Sequence, residues 1–190
     1  MIAELIRKNR SYRRFDAREK VSADTLRELI GLARLTPSAR NAQPIRYILS
    51  ADEHKNALIF PALSWAGYLK DWPGPAENER PAAYIVVLGD TLLGANFGID
   101  AGIAAQSILL GAVERGLGGC TLGSVNRPLL REVLPRIRDG EGALQISFDL
   151  PDGTEACVRE GKYTFLVVIA RGTLDELAMA DVDFVQRRIE

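Results

Sequence analysis

The 190-residue sequence is poor in the side chains that most often carry metal or nucleophilic chemistry, with one histidine and two cysteines. Cys120 and Cys157 are too few for a disulfide framework, and neither belongs to a spacing that binds metal. His54 lies among charged and polar neighbours, so we interpret it as a solvated helix residue. We therefore expect no metal site and no Ser-His-Asp triad.

The sequence also lacks a large net charge. The formal charge of -1 argues against a nucleic-acid binder that relies on bulk electrostatics. A hydrophobic fraction of 47% and a charged fraction of 26% are those of an ordinary globular protein, and the length suits a single domain over residues 1–190. The charge is unevenly distributed, because the first 18 positions hold six basic and two acidic residues.

Targeting and membrane signals are missing as well. The first ten residues lack the apolar core of a signal peptide, so we expect a cytoplasmic protein. The longest apolar stretch runs from Thr91 to Val113, with Asp100 as its only charge. Glycines and polar residues recur along it, which favours a helix buried in a core or an interface over a membrane span.

Hydrophobic periodicity and breaker residues predict an α+β chain in which helices and strands are mixed. We expect a short first helix through Ile2, Leu5 and Ile6, and a second helix capped by Ser22 and ended by Pro37. The other predicted helices are His54–Trp65, Leu92–Arg115 and one that begins near Pro128. The predicted strands are Tyr47–Leu49, Ala83–Leu88, Leu144–Phe148 and Phe165–Ala170, with a turn at Pro151–Gly153.

Three polar or glycine-rich segments could bind a ligand. The first is Arg10-Ser11-x-Arg13, where three donor side chains within four residues suit a phosphate, although a solvated basic turn has the same composition. The second runs from Pro37 to Pro44, and its neutral donors and acceptors Ser38, Asn41 and Gln43 suit a heterocycle. The alternative is a helix-ending turn whose side chains cap the backbone.

The third segment, Gly118–Gly123, is predicted to be a glycine-rich loop that follows the long helix. Glycines let backbone amides approach an anion closely. The segment lacks the spacing and context of a dinucleotide fingerprint, so a glycine helix cap is the alternative interpretation.

The first two motifs, and the order in which they follow each other along the chain, resemble those of the FMN-dependent nitroreductase family. That family has an Arg-Ser-x-Arg-x-aromatic motif, matched by Arg10, Ser11, Arg13 and Phe15, and a Pro-Ser-x-x-Asn-x-Gln-Pro loop, matched by Pro37–Pro44. The likeness runs from Arg10 to about Gly172. The segment 141–162 has no counterpart in this likeness. Family members often have a basic segment near the C-terminus that completes the phosphate site, and the corresponding basic residues here are Arg187 and Arg188.

The resemblance implies a nitroreductase-like fold with a mixed central sheet flanked by helices, and a homodimer with the long helix buried at the interface. It implies that Arg10, Ser11 and Arg13 hold the phosphate and ribityl end of FMN. By the same likeness Pro37, Ser38, Asn41 and Gln43 line the flavin ring, and backbone groups near Leu122 and Gly123 approach N5. Each FMN site would contain residues from both chains of the dimer.

The resemblance also implies a function. Flavin N5 would carry the chemistry, with no catalytic side chain required. A hydride would pass from NADH or NADPH to the flavin and then, in a ping-pong reaction, to a small acceptor such as a nitroaromatic or a quinone. The alternatives are reductive dehalogenation or flavin fragmentation on the same scaffold, and a non-catalytic module that binds FMN or serves as a redox partner.

Overall fold

A computed structural model describes residues 1–93, 97–138, 144–146 and 164–170. Its α-helices are α1 (Ile2–Lys8), α2 (Ala23–Arg34), α3 (Glu53–Ile59), α4 (Gly98–Glu114) and α5 (Arg127–Arg138). Its strands are β1 (Ile45–Ser50), β2 (Ala83–Gly89), β3 (Gly118–Leu122), β4 (Leu144–Ile146) and β5 (Thr164–Ala170). The α+β prediction is confirmed, and the predicted turn at Pro151–Gly153 lies outside the described residues.

The five strands form one sheet in the order β3-β5-β2-β1-β4, and all four of these pairings are antiparallel. The predicted mixed sheet is corrected in this respect, since the one parallel bridge in the described part of the chain joins Ser11 to Gly119. The reason lies in the connections. Ser50 at the end of β1 is opposite Tyr84 near the start of β2, so residues 51–82 leave and re-enter the sheet at the same end.

Each face of the sheet has its own hydrophobic core. On one face α2 and α4 contact each other and bury their apolar sides against alternate residues of the central strands. On the other face the residues around Tyr12 and Phe15 pack with α5 and with the segment after α3. Burial on both faces explains why β2 is apolar throughout.

The second helix confirms its sequence signals. The side chain of Ser22 accepts a hydrogen bond from the Thr25 amide at 3.0 Å, as an N-cap does. The predicted apolar face of α2, Leu26, Leu29, Ile30 and Ala33, is buried, and the helix ends at Arg34, before Pro37.

Two helices are shorter than predicted. The predicted helix His54–Trp65 is α3 followed by a separate 3₁₀ turn at Phe60–Ala62, because Pro61 cannot continue the α-helical hydrogen bonds. His54 is exposed on α3, as expected. The long helix begins at Gly98 instead of Leu92, because Asp90 turns the chain and accepts a hydrogen bond from the Leu92 amide at 3.1 Å. No helix among the described residues is both long and apolar enough to cross a bilayer.

Candidate functional site

The arginine segment, defined as Arg10–Arg14, follows α1 and runs beside the start of β3. The Tyr12 amide donates to the Gly119 carbonyl at 3.1 Å, next to the parallel bridge between Ser11 and Gly119. Tyr12 is 9% exposed and packs in the core, whereas Ser11 is exposed and Arg10 and Arg13 are half-buried. The tyrosine therefore anchors the segment, and the predicted phosphate ligands Arg10, Ser11 and Arg13 lie closer to the surface.

The guanidinium groups of this segment lie against aromatic rings and backbone oxygens. Arg13 donates to the Ser11 carbonyl at 3.1 Å and stacks 5.6 Å above the Tyr68 ring. Arg14 lies 5.9 Å from the centre of the Trp72 ring. The Nε atom of Arg10 is buried and makes no hydrogen bond within the described part of the chain. The Arg10 Nε–H is therefore a buried charged donor that an anion could accept from.

The aromatic stretch Trp65–Trp72 is only partly a surface feature. Trp65 is 9% exposed, and its ring centre lies 6.0 Å from that of Phe60. A side chain at Gly74 would come within 2.9 Å of the Trp65 ring, so glycine is required there for close packing. Tyr68 and Trp72 extend from this packed base to the arginines.

The predicted loop Gly118–Gly123 is wrong for its first five residues, which form the edge strand β3. Gly116, at a φ of 72°, ends α4, and the Leu117 amide closes the turn on the Ala112 carbonyl at 2.9 Å. The glycines of the strand permit close packing. A Cβ atom on Gly119 would overlap the carbonyl oxygen of Val168 on β5. Leu122 is buried, and Gly123, just past the end of β3, is exposed.

The polar loop, defined as Pro37–Pro44, connects α2 to β1 and is held largely by its own side chains. The Gln43 amide donates to Ser38 Oγ at 2.8 Å, and Gln43 Nε2 donates to Asn41 Oδ1 at 3.1 Å. Arg40, Asn41 and Gln43 have φ values of 55°, 54° and 47°, in the left-handed region that few residues other than glycine adopt. The polar side chains thus support a strained backbone, as the capping interpretation expects.

Three buried charged residues that the motifs did not predict lie beneath the polar loop. Arg46 Nη1 donates to the Gln43 carbonyl at 2.8 Å, and its Nη2 pairs with Asp90 Oδ2 at 3.2 Å. Asp100 on α4 accepts a hydrogen bond from the Ala39 amide at 3.0 Å. A single charge within or next to an apolar strand or helix is the sequence signal that marks such residues, although it does not identify their partners. No cluster of metal-ligating side chains occurs in the described ranges.

A cavity of about 420 Å³ opens against the polar loop. Its lining includes Pro37, Ser38 and Gln43 from the loop, together with Tyr47 and Asp100. Burial raises the pKa of Tyr47 to about 12, so the phenol of this residue stays neutral at ordinary pH. The cavity therefore combines neutral donors and acceptors with the carboxylate of Asp100 and the guanidinium groups of Arg34 and Arg46.

The arginine segment and the polar loop lie at opposite corners of the sheet. Gly119 is in register with Ile169, and Ile169 with Ala83, whereas the loop leads into Ile45, which is opposite Gly89. The step from Ala83 to Gly89 is six residues along β2, and β3 and β1 are three strand spacings apart. Together these put Gly119 and Ile45 about 25 Å apart. Within one chain, the structure brings Arg10, Ser11 and Arg13 close to β3 but keeps them apart from Pro37, Ser38, Asn41 and Gln43.

Comparison with known proteins identifies the family that this arrangement resembles. Residues 6–84 match the model of the nitroreductase family, a range that includes both the arginine segment and the polar loop. The resemblance found in the sequence is therefore confirmed.

Solved structures share the fold, among them proteins described as nitroreductases. A family protein from Clostridium difficile 630 has a TM-score of 0.63 at 20% identity, over 90% of this chain and 84% of that one. An FMN complex of a nitroreductase-like protein from Desulfovibrio desulfuricans has a TM-score of 0.62 at 21% identity, over 90% and 86%. The gut-bacterial enone reductase CLA-ER has a TM-score of 0.62 at 15% identity, over 91% and 89%. The nitroreductase-like fold is thus confirmed.

Proposed function

We propose that this chain, which has the nitroreductase fold and matches that family over residues 6–84, is an FMN-dependent oxidoreductase. It would take electrons from NADH or NADPH and pass them to a small acceptor such as a nitroaromatic or a quinone. The observation that carries the proposal is the buried Nε of Arg10, which lacks a hydrogen-bond partner in the described part of the chain. The FMN complex of the Desulfovibrio protein supports the choice of cofactor.

The phosphate end of FMN fits the arginine segment. Arg10, Arg13 and the Ser11 hydroxyl would donate to the phosphate oxygens, and a guanidinium supplies such bonds in pairs. Because the Tyr12 side chain is buried in the core and its amide donates to the Gly119 carbonyl, the backbone that carries these donors is fixed before the ligand arrives. Leu122 and Gly123 would place backbone groups near the flavin from the other end of β3, three residues beyond Gly119.

The flavin ring fits the polar loop, whose Pro37, Ser38, Asn41 and Gln43 offer an uncharged wall with fixed hydrogen-bonding groups. Neutral donors and acceptors match the carbonyls and ring nitrogens of an isoalloxazine. The bound flavin would supply hydride transfer at N5, and we assign no catalytic role to a side chain. The loop would orient the ring and exclude water from one face.

One FMN does not reach from the arginine segment to the polar loop of the same chain, given a separation of about 25 Å. We therefore propose a homodimer in which each flavin takes its phosphate ligands from one copy and its ring ligands from the other. Exposed apolar residues support such an interface. Ile2 and Ile6 on α1 are 61% and 53% exposed, and Ile99 on α4, a helix that contacts α1, is 77% exposed.

Three measurements on the purified chain test this function. We expect FMN to bind with a flavin absorbance spectrum, anaerobic NADH or NADPH to bleach that spectrum, and light scattering to give about twice 20.8 kDa. A chain that refuses FMN would overturn the proposal. FMN binding without bleaching would favour the non-catalytic flavin module, and a monomer that binds FMN would overturn the shared site.

A panel of candidate acceptors tests which compound the reduced flavin passes its electrons to. Nitroaromatics, quinones, halogenated aromatics and enones are added to the bleached protein, and reoxidation is followed under argon. Enones are included because CLA-ER, which has this fold, is an enone reductase. Reoxidation by halogenated aromatics alone would favour reductive dehalogenation over the proposed activity.

A further inference from the structure

The backbone of the polar loop adopts a conformation that its residues do not favour. Arg40 and Gln43 have left-handed φ values of 55° and 47°, although neither is a glycine or an asparagine. Such conformations persist only where surrounding contacts hold them, and they concentrate at functional sites. The loop's own side chains bond Gln43 to Ser38 and Asn41, so the question is what holds the backbone beside Arg40.

Asp100 supplies a contact from a distant element. It lies in the first turn of α4, is 6% exposed, and accepts from the Ala39 amide at 3.0 Å. Ala39 is adjacent to Arg40, the first of the strained residues. A buried carboxylate is unfavourable unless it is hydrogen-bonded, and the N-terminus of α4 offsets part of that cost.

The space between the loop and Asp100 is not filled by side chains. The cavity of about 420 Å³ is lined by both Asp100 and the loop residues Pro37, Ser38 and Gln43. Behind the loop, the second contact from a charged group is that of Arg46 with the Gln43 carbonyl, at the far end of the strained stretch. Asp100 and Arg46 thus hold the two ends of the strained backbone.

We propose that Asp100 is a positioning residue that holds the polar loop in the conformation that binds the flavin ring. The inference rests on the proposed function, and it adds a residue outside both motifs. Asp100 acts through the Ala39 amide, and its oxygen atom matters more than its charge. An asparagine at this position retains an acceptor oxygen, whereas an alanine does not.

The first experiment needs no flavin. Arg40 is exposed, so trypsin can cut after it when the loop opens. If loss of the Asp100 contact raises the open population about tenfold, Asp100→Ala is cut there about tenfold faster, because cleavage follows the open population. Asp100→Asn is cut at the wild-type rate. Mass spectrometry identifies the cleavage site, and thermal unfolding shows that each variant is folded.

The second experiment measures FMN affinity by fluorescence quenching. An apparent dissociation constant is inversely proportional to the fraction of chains in the competent conformation, so Asp100→Ala is expected to bind FMN more weakly by the factor by which that fraction falls. Asp100→Asn is expected to bind as the wild type does. Arg40→Gly, which removes the strain at a φ of 55°, restores most of the affinity in the Asp100→Ala background and changes little by itself.

The outcomes separate this inference from the proposed function. A wild-type chain that does not bind FMN ends the proposed function, whereas the tryptic cleavage rates still decide the role of Asp100. The inference is overturned if Asp100→Ala is cut and binds FMN as the wild type does. It is also overturned if Asp100→Asn fails as badly as Asp100→Ala, or if Arg40→Gly has the same effect in both backgrounds.

Discussion

The arginine segment and the polar loop are both polar stretches that adjoin the central sheet, but they are held in different ways. The arginine segment is anchored by an apolar residue, Tyr12, and its charged groups lie in contact with surface rings such as Tyr68. The polar loop has mostly neutral polar side chains, with Arg40 as an exposed charge, and it is anchored by buried charges, among them Arg46 and Asp100.

The difference follows from what each segment would bind. Charged donors recognise an anion over a range of positions, so guanidinium groups on flexible stems suffice once the backbone is fixed. Neutral hydrogen bonds to a flat ring depend on exact direction, so the backbone that carries them has to be held rigidly. The buried charges beneath the polar loop therefore act on its backbone, whereas the predicted role of Arg10 and Arg13 is to contact the ligand itself.

Removal of a buried anchor should have the largest effect. Arg46→Met leaves Asp90, which is 2% exposed, without its partner, and we expect a loss of about 3–5 kcal/mol in the free energy of unfolding. Urea denaturation measures the loss. The matched control is Arg18→Met, which breaks the exposed pair with Asp16 and should cost less than about 1 kcal/mol. Equal losses in the two variants would contradict the assignment of a structural role to the buried pair.

Overpacking of β3 should rank next. Gly119→Ala places a methyl group against the Val168 carbonyl oxygen, and we expect a loss of about 3 kcal/mol in stability. Gly123→Ala is the control, because a methyl group there meets nothing within 4 Å. Thermal or chemical unfolding compares the two. A Gly119→Ala chain as stable as Gly123→Ala would show that the strand pairing of β3 is looser than described.

Truncation of an arginine should affect binding more than folding. Arg10→Ala and Arg13→Ala should each weaken FMN binding by about 1.5–3 kcal/mol, the range for a hydrogen bond to a charged group. Arg18→Ala, an arginine that is bonded to Asp16 instead, should leave the affinity unchanged. Fluorescence titration of the flavin-free protein measures all three. Undiminished affinity in both Arg10→Ala and Arg13→Ala would remove the arginine segment from the phosphate site.

The smallest expected effect is a pH dependence beside the polar loop. Burial raises the pKa of Tyr47 from 10.0 to about 12, so the folded state holds the phenol proton more tightly than the unfolded state does. The resulting stability is complete below pH 10 and is lost as the pH rises toward 12. At pH 11 the loss is about 1.4 kcal/mol. When unfolding is compared at pH 9 and 11, Tyr47→Phe should reduce the loss by this amount and Tyr68→Phe should leave it unchanged. Burial also raises the pKa of Tyr84 and of Tyr12, so the loss from those two phenols remains in both variants.

Much of the fold could be predicted from local patterns. Ser22, Pro37 and the apolar face of α2 predicted that helix closely, and the uninterrupted apolar run of β2 predicted a buried strand. The failures arose where a long-range contact overrides a local preference. Gly118 and Gly119 look like a loop by composition, but they form a strand because β5 and Tyr12 approach too closely for any side chain.

The candidate site divides in the same way. The motifs located the arginine segment and the polar loop, and the assignment of those residues to FMN stays a prediction. They did not locate Arg46, Asp90 or Asp100, because a single charge in an apolar segment has no partner that can be identified from the sequence. Asp100 and Ala39 are 61 positions apart, and only folding brings them within hydrogen-bonding distance.

The sequence by itself determined the near absence of histidine and cysteine, the basic cluster near the N-terminus and the two motifs that resemble the nitroreductase family. Those properties depend on composition and short spacing, which any conformation of the chain retains. The tertiary structure decided that the two motifs lie about 25 Å apart, at opposite corners of one sheet. It also decided that buried charges hold the polar loop. Strand order and burial are set by long-range packing, which no short motif encodes.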